Sequence, residues 1–286
     1  MLITRPQISL IVQNSYGHPI TQAHRIDLPG KRPDQLPELS LLSPPARLSN
    51  SIADFRRHRR FMTDCLEATT GTIPLLVTDQ HLYSLPFYKA LAGTYPDQDI
   101  AIVTLDNHLD GVDLTYTNWA FWGFGIYLNH IKPTNLFIIG SGQQIKAEAF
   151  AREHKCEAAG ALFNYQVIEE FSEFTRRAAD NVAAVNPSIN IREIRRDRRL
   201  RDFAEYSLLK NAGVTISQSL TGVYLAGKPV FVSFDTDVPL RGEKLLEIAR
   251  LLRGSILLGL HISELSQGLP IHGREEIETL VKMIVE

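Results

Sequence analysis

Two aspartates and a histidine alternate with other residues just after an apolar run, at Asp106, His108 and Asp110. The run, 100–103, is short, continuous and rich in β-branched residues, which predicts a buried parallel strand. Because alternate side chains of a strand share a face, the three polar side chains should project together at its carboxyl end. Ligand sites of open α/β sheets lie at that edge. Two carboxylates and an imidazole there could bind a metal cation, although a polar loop that caps a helix would have the same residues.

Three further predicted strands end in the same kind of side chain. They are the strand at 73–77 with His81, the strand at 229–234 with Asp235 and Asp237, and the strand at 255–260 with Glu264. In a parallel sheet all of these carboxyl ends lie at one edge. A mixed set of carboxylates and imidazoles without thiolates suits Mn²⁺, with Fe²⁺, Co²⁺ or Zn²⁺ as alternatives. The carboxylates outnumber what one structural zinc needs, which favours two metals about 3.5–4 Å apart.

The order and spacing of these residues resemble the metal motifs of the ureohydrolase family, which includes arginase and agmatinase. That family has a Gly-Gly-Asp-His strand end, then Asp-Ala-His-x-Asp, then Ser-Phe-Asp-x-Asp, and finally a late Glu. The corresponding segments here are Thr-Asp-Gln-His at 78–81, Asp-Asn-His-Leu-Asp at 106–110, Ser-Phe-Asp-Thr-Asp at 233–237, and Glu264. The match covers residues 73–265, and its second and third motifs are the more specific ones.

The resemblance implies a three-layer arginase-like α/β fold, with a mostly parallel sheet and helices on both faces. It also implies two Mn²⁺ per chain, both contacted by the bridging residues Asp106 and Asp235. The remaining ligands would be His81 and Asp110 on one metal, and His108 and Asp237 on the other. Glu264 would hold the substrate guanidinium, because a carboxylate can accept two parallel N–H bonds from that planar group. Metal-activated water would then attack the guanidine carbon, releasing urea and an amine.

The sequence departs from arginases where those enzymes bind the α-amino and α-carboxylate groups of free arginine. Val112 and the stretch 119–122 occupy that region here. The departure resembles a divergent branch, the peptide arginases of ribosomal peptide pathways, which convert arginine side chains of a precursor peptide to ornithine. An arginine-containing precursor peptide or a small guanidino compound is therefore the expected substrate. His130 is a candidate proton shuttle, and a histidine on a helix face is the alternative role for it.

Both tryptophans of the chain, Trp119 and Trp122, follow the second motif. They could form an aromatic wall that binds a guanidinium or a peptide by cation–π stacking, or they could be core aromatics. Three other functions remain open for the chain as a whole. It could be a ureohydrolase for free arginine or agmatine, a one-zinc deacetylase of the same fold, or a metal-binding protein without catalysis.

The elements that must position these residues alternate between strands and helices, which predicts helices covering a mostly parallel sheet. No linker separates domains, so residues 1–286 are predicted to form one domain. Residues 216–226 are predicted to be helical. Gly140 and Gly142 flank a tight strand-to-helix turn. The charged run at 192–202 mixes both signs, which is typical of a solvated, salt-bridged face.

Composition excludes several classes of protein. The 286 residues are 44% hydrophobic and 22% charged, as in ordinary globular domains, and a net charge of -2 offers no general attraction for nucleic acid or membranes. No apolar run reaches membrane-spanning length, and the first residues lack a signal-peptide pattern. Cys65 and Cys156 form no motif. A cytoplasmic protein is therefore expected, and assembly into homo-oligomers is left open.

Overall fold

The computed structural model describes residues 8–13, 52–78, 81–111, 122–127, 130–154, 198–219, 225–235 and 254–263. The chain divides into two compact units, Met1–Thr104 with Ser219–Glu286, and Leu105–Gln218. The sequence also predicts a strand at 161–168 and helices at 169–184, 242–253 and 274–285, and these segments lie outside the described residues. That the whole chain is one domain stays a prediction.

Strands and helices alternate along much of the described chain. The strands are β1 (Ile8–Gln13), β2 (Ile73–Thr78), β3 (Ala101–Leu105), β4 (Leu136–Ile139), β5 (Thr215–Ser217), β6 (Pro229–Asp235) and β7 (Ile256–Ser263). The helices are α1 (Ile52–Ala68), α2 (Ser84–Thr94), α3 (Trp122–Tyr127), α4 (Gly142–His154) and α5 (Arg198–Ala212). Two 3₁₀ helices, His81–Tyr83 and Pro133–Asn135, precede α2 and β4.

The first unit contains the strand order β1-β2-β7-β6-β3. β1 pairs with β2, β2 with β7, and β7 with β6, and all three pairs are parallel. All five residues of β3 are buried, as expected of a strand covered on both faces. The predicted α/β class with a mostly parallel sheet is confirmed.

Helix α1 shows why this stretch becomes an amphipathic helix. Its buried positions include Phe55, His58, Met62 and Cys65, at spacings of three and four residues, which place them on one face. The four arginines of α1 are exposed on the opposite side: Arg56, Arg57, Arg59 and Arg60. Helix α2 packs beside it with an almost fully buried first half, and its Phe87 ring meets Phe231 of β6 edge-on at 5.6 Å. The Phe87 ring thus packs α2 against β6.

The second unit has the parallel pair β4 and β5 and the packed helices α4 and α5. Phe150 of α4 and Phe203 of α5 lie with ring centroids 5.2 Å apart, and both are buried. Gly140 has φ +84°, which confirms the predicted tight turn between β4 and α4.

The predicted helix at 216–226 is wrong at both ends. Thr215–Ser217 form β5, and Ala226 and Gly227 lie in a turn. The physical reason is that Thr215 and Ile216 are β-branched and pair with Phe137 and Ile138 of β4, which a local periodicity argument does not include.

Two further expectations concern membranes and cysteines. Among the described residues, no helix is long and apolar enough to cross a membrane. Cys65 is buried and free, and desolvation raises the pKa of its thiol to about 12, with Asp64 as the smaller cause. A buried thiol with so high a pKa is protonated at neutral pH and is a weak nucleophile.

Candidate functional site

In the first unit, parallel pairing brings the carboxyl ends of β2, β6 and β7 to one edge. Ser233 of β6 is opposite His261 of β7, and Asp235 is opposite Ser263. On the other side of β7, Leu76 of β2 is opposite His261. Thr78 of β2, Ser233 and Asp235 of β6, and His261 of β7 therefore lie at the same edge, as expected for parallel strands.

His81 and Asp235 are brought together at this edge. His81 begins the 3₁₀ helix that follows β2, and Asp235 is the last residue of β6. His81 Nδ1 lies 3.5 Å from Asp235 Oδ2, and the side chains are only 9% and 2% exposed. An imidazole and a carboxylate held this close with little access to water form a compact pair of metal donors.

A buried hydrogen-bonded chain runs from the other ring nitrogen of His81 into the core. His81 Nε2 is 2.8 Å from Ser233 Oγ, and Ser233 Oγ is 2.8 Å from Ser84 Oγ. Ser84 Oγ is 2.5 Å from His261 Nδ1, and His261 Nε2 is 2.8 Å from Thr78 Oγ1. Four of these five side chains are at most 1% exposed: those of Thr78, Ser84, Ser233 and His261. We refer to Thr78, His261, Ser84 and Ser233 together as the hydroxyl–imidazole chain.

His261 is a neutral member of that chain at neutral pH. Complete burial lowers the pKa of its imidazole well below the usual value, and the nearby His81 lowers it further. A neutral ring has one N–H donor and one unprotonated acceptor nitrogen. His261 therefore accepts from one of its neighbours, Ser84 or Thr78, and donates to the other. The sequence analysis missed Ser84 and His261 as parts of the site, and it included Thr78 in the first motif without a role of its own.

In the second unit, the loop after β3 brings Asp106 and His108 together. Asp106 is buried, and its Oδ1 accepts a hydrogen bond of 2.6 Å from the backbone N–H of His108. The same oxygen lies 3.5 Å from His108 Nδ1, and the His108 side chain is 44% exposed. The aspartate thus shapes the turn with its own side chain and holds the imidazole of the second residue beside it.

Asp110 has an unusual backbone. Its φ of 46° makes it the sole non-glycine residue with positive φ in the described parts of the chain. The carbonyl oxygen of Asp110 accepts a 2.6 Å hydrogen bond from the backbone N–H of Trp122. Aspartate tolerates this left-handed region better than most residues, yet the conformation still carries strain, which is common at functional loops.

Side chains of helices α4 and α5 accept hydrogen bonds from the backbone of the loop after β3. Leu109 N–H donates to Gln143 Oε1 at 2.6 Å, and Gly111 N–H donates to Glu205 Oε1 at 2.7 Å. Gln143 Nε2 in turn donates to Asp202 Oδ1 at 3.0 Å. These two hydrogen bonds hold the backbone on either side of Asp110 and so fix its position. The sequence analysis missed Gln143 and Glu205.

The charged run at 192–202 meets its predicted description only in part. Its first residues lie outside the described part of the chain. Arg198 and Arg199 are exposed, and the Arg199 guanidinium pairs with Glu153, which lowers the pKa of that carboxyl. Asp202 is instead buried, and its carboxylate accepts the Gln143 hydrogen bond. The predicted solvated, ion-paired character therefore holds for Arg198 and Arg199, whereas Asp202 supports the loop.

Two of the other predicted site residues, Trp122 and His130, lie within the described part of the chain. Trp122 begins α3 and is 1% exposed, the position expected of a core aromatic; its role in an aromatic wall stays a prediction. His130 is half-buried, and its backbone N–H donates to Gly125 O at 2.8 Å; its role as a proton shuttle also stays a prediction. Trp119, Asp237 and Glu264 lie outside the described residues.

The two histidine–aspartate pairs fit metal ligation. Each unit contributes one pair, and each pair has an imidazole Nδ1 3.5 Å from a carboxylate oxygen. This separation is longer than an ordinary hydrogen bond. Two ligand atoms that each lie about 2.1 Å from one ion, at an angle of about 110°, are about 3.4 Å apart. The separation within each pair therefore matches that of two donors on one cation.

Comparisons with known proteins gave matches among solved structures alone. No family model matches the sequence, and no curated protein matches it significantly. One similar structure is the proclavaminate amidino hydrolase from Streptomyces clavuligerus, at 14% identity and a TM-score of 0.48, covering 82% of this chain and 70% of that one.

Two other similar structures have lower TM-scores. A hypothetical agmatinase from Burkholderia thailandensis shares 14% identity at a TM-score of 0.43, covering 82% of this chain. This chain spans 63% of that agmatinase, less than two thirds of its length. The formimidoylglutamase from Bacillus subtilis shares 16% identity at a TM-score of 0.42, covering 84% of this chain and 69% of that one.

Proposed function

We propose that this protein is a metal-dependent hydrolase that splits a guanidino C–N bond with water and releases urea and an amine. The observation that carries the proposal is the coincidence of motif and geometry. The two most specific motifs, at 106–110 and 233–237, each contain an aspartate that lies 3.5 Å from an imidazole nitrogen. A sequence motif does not by itself place an imidazole and a carboxylate at this distance, so the geometry is support beyond the motif.

The residues that would hold two Mn²⁺ follow from the motifs. Asp106 and Asp235 would contact both ions. The other ligands would be His81 and Asp110 for one ion, and His108 and Asp237 for the other. When bound, such a pair of cations lowers the pKa of water and supplies a nucleophile near neutral pH. The burial of His81, Asp106 and Asp235 supports this assignment, because buried carboxylates need a compensating positive charge.

The chain's own residues would do the rest of the work. Glu264 would accept two N–H bonds from the guanidinium and orient its carbon. His130 would carry a proton to the leaving amine, and Trp119 and Trp122 would pack against the substrate. The expected substrate is the side chain of arginine in a precursor peptide, which becomes ornithine. We expect it to be a cytoplasmic reaction that involves neither nucleic acid nor membranes.

Measurement of urea after Mn²⁺ loading tests the proposal. The substrates are free arginine, agmatine and an arginine peptide capped at both ends. We expect urea from the peptide in step with ornithine formation, and a higher kcat/KM for the peptide than for arginine. The Glu264→Gln variant should keep its metal content and lose about 10- to 100-fold in kcat/KM on every guanidino substrate, since one charge-assisted partner is worth about 1.5–3 kcal/mol.

The same assay separates the alternatives. Efficient turnover of free arginine without activity on peptides would make the protein an ordinary arginase-type enzyme. One zinc per chain with release of acetate from acetyl-lysine would indicate a deacetylase. Bound metal without turnover of any of these compounds would leave a non-catalytic metal-binding protein, and the proposal would be wrong.

A further inference from the structure

The hydroxyl–imidazole chain can be hydrogen-bonded in two directions only. Ser84 and Ser233 are buried, and each has one hydroxyl proton and two partners in the chain. For every hydroxyl proton and every contact to be hydrogen-bonded, each serine must donate to one neighbour and accept from the other. Complete burial favours the neutral form of His261, which also has one donor and one acceptor nitrogen. The direction chosen at one end therefore fixes the direction at the other.

The two directions leave His81 in different tautomers. In the first, His81 Nε2–H donates to Ser233, Ser233 to Ser84, Ser84 to His261 Nδ1, and His261 Nε2–H to Thr78. His81 Nδ1 then has no proton and its lone pair points to the side where Asp235 lies. In the second, every donor and acceptor is exchanged, and the proton of His81 resides on Nδ1. An imidazole nitrogen can bind a metal only without its proton, so the second direction blocks ligation by Nδ1.

We propose that Ser84 and His261 are positioning residues that select the His81 tautomer able to bind metal through Nδ1. The inference rests on the proposed metal site and extends it beyond the ligand motifs to residues that do not contact the metal. Ser84 opens α2, and His261 lies within β7, 177 residues away in the sequence. A metal-bound histidine commonly donates its other N–H to an acceptor that fixes the ring. Here that acceptor is itself fixed by two further buried groups.

The test uses Ser84→Ala, which cuts the chain without adding bulk. Calorimetric titration with Mn²⁺ alone should give an affinity about 10- to 100-fold below wild type, the range typical for residues that support metal ligands. Thr69→Val is the matched control, since the Thr69 hydroxyl is also buried in this unit but bonds only to the end of α1, through Cys65 O and Leu66 O. It should change the affinity less than twofold. Ser84→Thr keeps the hydroxyl and should restore most of the affinity.

A second measurement needs no variant that might fail to fold. In the metal-free wild-type protein, ¹⁵N chemical shifts of labelled histidine should place the His81 proton on Nε2. A His81 proton on Nδ1 would overturn the proposal, as would a Ser84→Ala affinity within twofold of wild type or a wild-type protein that binds no Mn²⁺. Because neither readout uses turnover, absence of urea release would contradict the proposed hydrolase and leave this inference standing.

Discussion

The two histidine–aspartate pairs share a distance but differ in their surroundings. His81 is buried and its second nitrogen is tied into the hydroxyl–imidazole chain, whereas nearly half of the His108 side chain is open to solvent. A buried, hydrogen-bonded ligand loses little conformational freedom when a metal binds, and an exposed one loses more. We therefore expect His81 to contribute to the tighter of two metal sites, with His108 at the weaker one.

The first prediction concerns the aspartates of these pairs. Asp106→Asn and Asp235→Asn should each lower urea release at least a hundredfold, because an amide has no charge to balance two cations. Circular dichroism should stay native-like, since the side chains keep their shape. Asp97→Asn, at an exposed turn position, is the control and should behave as wild type. Wild-type rates in both of the buried variants would show that these aspartates do not bind the catalytic metals.

For individual residues, the sequence predicts the candidate metal ligands but not the residues that hydrogen-bond to hold them in place. Asp106, His108 and Asp110 fall within five residues of one another, so local spacing reveals them. Ser84 and His261 do not belong to any local pattern, and their partners in the chain are 149 to 183 residues away. A serine that opens a helix and a histidine within an apolar strand are ordinary when viewed alone. Only the parallel register, which places His261 beside Ser233, gives them a role.

Among the elements, the long or fully buried ones could be predicted from sequence. The buried strands β3, β4 and β6 are short apolar runs with turns after them, and α1 has a clear helical period. The three-residue strand β5 could not be predicted, since so short a segment has no period of its own and becomes a strand by pairing with β4. The same limit applies to the start of α5, where the charged run predicted a solvated face but Asp202 is buried and bonded to Gln143.

The second prediction tests the contact between that loop and α5. In Gly111→Ala, the new methyl group would lie 2.5 Å from Leu209 Cδ1, and Leu209 is buried, so its side chain can shift only by displacing its own neighbours. Thermal unfolding should show a loss of about 1–3 kcal/mol, as for other overpacked sites. Gly93→Ala in α2 is the control, because its methyl group would find only Arg59 Nη2, at 3.9 Å. It should gain about 0.5–1 kcal/mol from helix propensity. Equal stability of the two variants would contradict the close packing of Gly111.

For the whole molecule, the third prediction is that Mn²⁺ binds at two equivalents per chain and stabilises the fold. An ion that binds only the folded state adds RT ln(1 + [L]/Kd), about 2.7 kcal/mol at a hundredfold excess over Kd. The thermal midpoint should rise by several degrees with Mn²⁺ and return to its starting value with a chelator. Metal analysis after gel filtration gives the stoichiometry. A value near one that is unchanged in Asp237→Ala would rule out the dinuclear assignment.

The backbone conformation of Asp110 should determine which substitutions selection favours at this position. At φ 46° a glycine would fit with less strain than the aspartate that is there. Random variants of this protein that are screened only for abundance or heat resistance should therefore accumulate glycine at position 110. Variants screened for metal-dependent turnover should keep the acid. The residue found at position 110 after selection would then show whether the variants were selected for metal-dependent activity or only for folding.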